Sequence, residues 1–226
     1  MNLEEFFKNQ VSETPFSLFI CLIEKGITMK NNAPIHFPIH PMLEERWSTR
    51  AFSDEKISRE TLQRLFEAAR WAPSSMNQQP WHFIIGRDKD ESWQKIFSTL
   101  VEFNQLWAQY SPVLILTVGR KMLEARTESN THYQYDVGQA VAYFTFQAQA
   151  ENLFVHQMGG VDFVKVSEIF DIEEPFTPIS VLAVGYYGHP ERLHENIQKL
   201  EKAPRQRNPA SDFVFEGKFG NKSTLF

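Results

Sequence analysis

From Asp136 to Val155 the sequence reads as one long helix, apolar around most of its circumference. A helix with no polar side to give to water belongs at the centre of a protein or against a partner subunit. Three apolar runs read as buried strands: Trp81–Ile85, Val113–Val118 and Ile179–Tyr187, the last stopped by Gly188 and Pro190. Ser58 is a helix N-cap, followed at helical spacing by Leu62, Leu65, Phe66 and Ala69, in a helix that must end by Pro73. Further helices are expected over Glu91–Asn104 and over residues 162–170. Helices mixed with strands place the chain in the α/β (α+β) sandwich class.

A length of 226 residues and a 42% hydrophobic content allow one domain with a substantial core. Residues 1–33 read as an N-terminal extension, with a short amphipathic helix near Leu3–Lys8 and a polar linker at Met29–Asn32. Pro34, Pro38 and Pro41 then interrupt regular structure before the main domain, residues 34–226. Past Pro204 the pattern is extended and aromatic to Phe226. A net charge of −5 argues against a general nucleic-acid binder. The single cysteine, Cys21, excludes an internal disulfide and a cysteine-rich metal site. The early apolar run Phe16–Ile23 is far shorter than the roughly 20 residues of a membrane span. Glu4 and Glu5 stand where a signal peptide would carry positive charge, so a cytoplasmic location is expected. No dinucleotide-binding glycine turn, phosphate-binding P-loop, nucleophile elbow or His-Glu-x-x-His pair is written in the chain. His36 and His40 are separated by Pro38 and read as solvated loop histidines, so no metal is expected.

Three polar segments stand out. In an extended Arg46-Trp47-Ser48-Thr49-Arg50, Arg46, Ser48 and Arg50 share one side and Trp47 and Thr49 the other. Between Pro204 and Pro209, Arg205 and Arg207 also project together. Taken alone, the first segment reads more readily as a solvated helix end with surface arginines and the second as a basic surface loop. If they converge, four guanidinium groups meet with no acidic run nearby. Each close pair would then repel by a few kcal/mol at an effective dielectric of about 20. Hydrogen bonds to a charged partner return roughly 1.5–3 kcal/mol each, and the arginine fork suits phosphate oxygens. The third segment, Pro73-Ser74-Ser75-Met76-Asn77-Gln78-Gln79-Pro80, is either a polar connector or a rigid loop whose donors and acceptors suit a heterocycle.

In order and spacing these segments resemble the nitroreductase family of flavoproteins. The matching positions are Arg46-x-Ser48-x-Arg50-x-Phe52, Pro73-Ser74-Ser75-x-Asn77-x-Gln79-Pro80-Trp81, and Asn104 before Ser111-Pro112. Asp136-x-Gly138-x-Ala140, Gly159-Gly160-Val161-Asp162, Gly185-Tyr186-Tyr187-Gly188 and Arg205-x-Arg207-x-Pro209 complete the set. The resemblance implies a three-layer α-β-α sandwich assembled as a domain-swapped homodimer, with FMN at the interface. It assigns the phosphate and ribityl end to Arg46, Ser48, Arg205 and Arg207, with Trp47 among the cofactor-binding positions. Arg50 and Asn104 would meet the pyrimidine edge. Pro73, Ser74, Ser75 and Asn77 would come from the other subunit, and the Gly160–Val161 backbone would approach N5. Many relatives carry an acidic residue where this chain has Gly159.

The implied chemistry is hydride transfer from NAD(P)H to flavin N5, then reduction of a nitroaromatic, quinone or related conjugated acceptor in the same pocket. The flavin carries the reaction, and no side chain is assigned as a dedicated acid or base. Alternatives on the same fold are dehalogenation, peptide oxidation or flavin breakdown, and a different class is a non-catalytic flavin-binding protein. The C-terminal aromatics Phe213, Val214, Phe215, Phe219, Leu225 and Phe226 have too little local sequence to bury themselves and are expected to reach across the partner subunit.

Overall fold

The computed structural model describes residues 31–123 and 128–226. The expected helix near Leu3–Lys8, Cys21 and most of the N-terminal extension lie outside those residues. Four strands, β1 (Trp81–Arg87), β2 (Val113–Arg120), β3 (Leu153–Met158) and β4 (Phe176–Tyr186), form an antiparallel sheet in the order β1-β2-β4-β3. The described helices are α1 (Pro41–Glu45), α2 (Arg59–Arg70), α3 (Glu91–Ser98), α4 (Glu102–Ala108), α5 (Tyr133–Ala150), α6 (Phe163–Ile169) and α7 (Glu195–Glu201).

Alternation along the central strands builds two cores. Leu114, Leu116 and Val118 of β2 join Val181 and Ala183 of β4 on one face, and Val113, Ile115, Leu182 and Val184 fill the other. Both faces are covered, which is why these strands read as continuous apolar runs. On the first face lie Trp93 and Ile96 of α3, Trp107 of α4, Val166 of α6 and Ile197 of α7. On the second lie Leu62, Leu65 and Ala69 of α2 and Val137, Ala140, Val141, Phe144 and Ala148 of α5. The architecture is thus a three-layer α-β-α sandwich, as expected. Ser58 caps α2, its Oγ accepting from the Thr61 N–H at 3.0 Å.

Four boundaries differ from the sequence expectations. Instead of running to Val155, α5 stops at Ala150. Asn152 takes a left-handed backbone (φ 59°), which asparagine tolerates, and Leu153–Met158 turns back as β3 beside β4. An apolar helix running into an apolar strand offers no change of periodicity at the joint. The Glu91–Asn104 helix is two helices. The chain breaks at Thr99–Val101, where Leu100 bridges Val161 and the Val101 N–H donates to the Gly160 carbonyl at 3.1 Å. The strand expected from Ile179 starts at Phe176 and tolerates Pro178 beside a register shift against β2. The tail is not simply extended. Ala210–Asp212 forms a 3₁₀ turn, and Phe215 bridges Lys222 in a small hairpin. Gly217 and Gly220, at φ 74° and 93°, allow that reversal.

Among the described residues, no helix is long and apolar enough to cross a membrane, and no group of three or more His, Cys, Asp or Glu could hold a metal ion.

Candidate functional site

Arg46 to Arg50 runs extended beside β3, an edge strand of the sheet. The alternation expected of this segment is present: Trp47 and Thr49 are buried, while Arg46, Ser48 and Arg50 keep solvent exposure. The Trp47 ring packs edge-on to Phe154, 6.5 Å between centroids, and on Tyr187 at 5.8 Å. Its side chain is therefore the floor under the arginine side, and only its backbone shares that side. Two residues on, the Thr49 carbonyl accepts from His156 Nδ1 at 2.8 Å. A carbonyl can only accept, so Nδ1 carries the hydrogen and Nε2 holds the lone pair of a neutral ring. Burial pushes the His156 pKa down to about 4, and Arg50 and Arg46 nearby act in the same direction.

The pairing of Trp47 with Phe154 and of Thr49 with His156 makes the segment follow β3 in the same direction. Arg46 therefore stands at the start of β3 and Arg50 towards its end. The Arg50 guanidinium lies 6.0 Å from the Trp107 ring, which packs against His156 at 4.3 Å. The Arg50 Nε is buried with no hydrogen-bond partner among the described residues. Beyond it, Asn104 Nδ2 donates to the Gly160 carbonyl at 3.1 Å. A Cβ on Gly160 would sit 2.8 Å from that nitrogen and 2.9 Å from Val101 Cγ2, so any side chain there would have to displace the Asn104 amide or Val101. A Cβ on Gly159 would meet nothing within 4 Å, so packing does not demand glycine there. The break between α3 and α4 thus presents Asn104 to the turn that carries Gly160 and Val161.

At the other end, Arg46, Arg205 and Arg207 gather. Burial lowers the Arg46 pKa, and the charge of Arg207 lowers it further. Arg205 is lowered by burial, then by Arg46 and Arg207. The two basic segments, far apart in sequence, meet as expected, but their members differ. The Arg205 Nη1 donates to the carbonyls of Asn31 at 2.9 Å and Glu44 at 2.5 Å, tying the described N-terminal residues and α1 to the cluster. Arg207 is exposed and donates to the adjacent Gln206 carbonyl at 2.7 Å. No acidic run is expected beside these segments, but a single acid lies close behind one of them. Glu201, at the end of α7, is only 2% exposed and sits behind the first segment. It accepts from the Thr49 hydroxyl and, at 2.8 Å, from the Arg50 N–H. Burial raises its pKa. A lone glutamate amid the charged run Glu195–Lys202 carries no signal of burial in the sequence.

The loop Pro73–Pro80 lies elsewhere. Asp136, buried in the first turn of α5, accepts from the Ser75 N–H at 3.1 Å. The Arg120 Nη2 donates to the Gln78 carbonyl at 2.9 Å, and Ser74 Oγ accepts from the Gln79 N–H at 3.0 Å. Met76, Asn77 and Gln79 all have positive φ, a strained and fixed shape. The loop leads into β1, whereas Arg46–Arg50 follows β3, so the two lie at opposite edges of the sheet. Three strand spacings, about 14 Å, separate those edges. One copy of the chain brings Arg46, Arg205 and Arg207 together, and Asn104 with Gly160; it does not bring Pro73, Ser74, Ser75 and Asn77 to them.

The sequence profile described as "Nitroreductase family" matches residues 43–186. A solved structure titled as an oxidoreductase containing FMN is 31% identical with a TM-score of 0.80, covering 87% of this chain and 100% of that one. A nitroreductase family protein from Clostridium difficile 630, 22% identical, shares the fold with a TM-score of 0.64 over 80% of this chain and 99% of its own. The "Major NAD(P)H-flavin oxidoreductase" of Aliivibrio fischeri is 38% identical over 72 residues, 30% of this chain and 33% of that protein. A relative from Archaeoglobus fulgidus is 33% identical over 96 residues, so the match spans about half, 49%, of its length.

Proposed function

The chain belongs to the nitroreductase family, and from that premise we propose that it is an FMN-dependent NAD(P)H oxidoreductase whose flavin lies along the β3 edge. The polarity of this edge carries the conclusion. Positive charge is concentrated at the Arg46–Arg205–Arg207 end, and a buried donor without a partner, Arg50 Nε, stands towards the other. A long ligand with a terminal phosphate and a hydrogen-bonding heterocycle matches that asymmetry. The phosphate would relieve the mutual repulsion of the arginines through charge-assisted hydrogen bonds. An acceptor on the pyrimidine edge would meet the accessible part of the Arg50 guanidinium.

In this proposal Arg46, Arg207 and the Ser48 hydroxyl hold the phosphate and ribityl end, with Arg205 beside them. Arg50 and Asn104 face the pyrimidine edge, and the Gly160–Val161 backbone meets the ring. Bound FMN would supply reversible two-electron transfer between NAD(P)H and an acceptor. Arg50 fixes a positive charge beside the ring, where it favours electron uptake. Pro73, Ser74, Ser75 and Asn77 would cover the ring from a second copy, because they occupy the far edge of their own sheet. The working unit is then a homodimer. The acceptors are nitroaromatics, quinones or related conjugated molecules, which suit a flat ring face.

Mass spectrometry of cofactor released from the purified protein should find FMN. Anaerobic NADH or NADPH should bleach its visible absorption. FAD, or no flavin after reconstitution, would overturn the cofactor assignment. FMN that stays oxidised under NADH and NADPH would instead favour a binding protein or a more specialised flavin chemistry.

A further inference from the structure

We propose that Glu201 is a positioning residue that joins the two arginine-bearing segments from behind, an inference resting on the assignment of the β3 edge to FMN. Its carboxylate is committed at both oxygens. Oε1 accepts from the Thr49 hydroxyl and Oε2 from the Arg50 N–H at 2.8 Å. The Thr49 Oγ1 accepts in turn from the Ala51 N–H at 3.0 Å, so one acid fixes three consecutive residues. Glu201 closes α7, and Pro204, Arg205, Gln206 and Arg207 follow directly. The residue that shapes the backbone around Arg50 is therefore anchored next to the other half of the arginine cluster.

The acid sits where an acid is unfavourable. It is 2% exposed, so desolvation opposes its charge, and a negative group at a helix C-terminus is opposed by the helix dipole. An apolar side chain would fill such a position at less cost if packing were its whole task. What a carboxylate adds is two acceptors set against the Thr49 hydroxyl and the Arg50 N–H. His156 holds the same segment from the other flank through the Thr49 carbonyl. With both flanks held, the Arg50 backbone stays fixed while its guanidinium lies beside the Trp107 ring.

FMN binding, read by quenching of flavin fluorescence, should be compared for wild type, E201Q, T49V and T49S, with thermal unfolding of each protein freed of flavin. The amide of E201Q keeps one acceptor for two donors, so it sets a donor against either the Thr49 hydroxyl or the Arg50 N–H, and T49V removes the hydroxyl. Both should bind FMN about tenfold more weakly or worse, because Arg50 is no longer preorganised for the ligand. Flavin-free E201Q should lose little melting temperature, since shedding the desolvation of a buried charge offsets the lost hydrogen bond. T49S retains the hydroxyl and should bind as wild type does. Wild-type affinity in both E201Q and T49V would overturn the inference and leave the flavin assignment intact. Affinity losses that merely follow losses in melting temperature, with T49S no better than T49V, would also overturn it and assign Glu201 to the fold. A wild type that takes up no FMN would instead remove the assignment beneath it.

Discussion

Arg205 and Arg207 look equivalent in sequence, two residues apart between two prolines, yet their surroundings divide them. Arg207 is exposed and bonded only to its neighbour's carbonyl among the described hydrogen bonds, so its charge is available to a ligand. Arg207→Ala should weaken FMN binding roughly ten- to a hundredfold, the loss of about 1.5–3 kcal/mol, with the flavin-free melting temperature unchanged. Arg205→Ala should lower that melting temperature as well, because it removes the tie from its guanidinium to the carbonyls of Asn31 and Glu44. Equal melting temperatures for the two variants would refute this division. His156 makes a separate prediction. Its folded pKa of about 4 lies below the ordinary 6.5, so the unfolded chain takes up a proton first as pH falls. The stability it contributes is complete above 6.5 and is lost as pH drops towards 4. Glu201, with a raised pKa, acts in the opposite sense as pH falls. Melting temperature followed across that window should therefore drop more steeply in wild type than in His156→Asn. Parallel curves would show that His156 is not held neutral.

Helix α5 organises the far edge of the sheet. Its Phe144 is fully buried, with Phe66 5.3 Å away, and its first turn delivers Asp136 to the Ser75 N–H. Asp136→Ala would leave that N–H without its acceptor, costing about 1–3 kcal/mol if no water replaces it. The positive-φ turn at Met76–Asn77 should then open. Hydrogen exchange at Ser75–Asn77 should accelerate in the variant while exchange in β2 and β4 stays slow. Unchanged exchange at the loop would mean that its shape is fixed by Arg120 and Ser74 alone. In the proposed dimer the same substitution should weaken FMN retention, since the loop belongs to the partner's flavin site.

For the whole molecule, the tail poses the main energetic question. Phe219 is 96% exposed and Leu225 72%, and Phe226 meets Phe37 edge-on at 5.9 Å while both remain largely exposed. Each such side chain forgoes about 1.5–3 kcal/mol of burial in a single copy. A second subunit covering them would recover part of that. Light scattering should find a dimer, and truncation after Ala210 should lower dimer stability and FMN retention together. A monomeric, flavin-loaded wild type would defeat the dimer. A truncated chain that dimerises normally would defeat only the role of the arm.

The sequence by itself determined the class of fold, because the continuous apolar runs of β2 and β4 and the apolar girth of α5 are local patterns that call for cover on both faces of a sheet. It also determined which side of Arg46–Arg50 faces outward, since period-two alternation in an extended segment needs only Trp47 and Thr49 as buried partners. It did not determine the joint between α5 and β3 or the break before Asn104. The first lies between two apolar runs, and the second is set by pairing of Leu100 with Val161, a contact across sixty-one residues. Only the tertiary structure decided that Glu201 is buried, that Arg205 is tied to Asn31 and Glu44, and that Pro73–Pro80 lies across the sheet from the arginines. Local sequence records a residue's chemistry and its near neighbours. The partner that a charge meets depends on where the sheet order carries it.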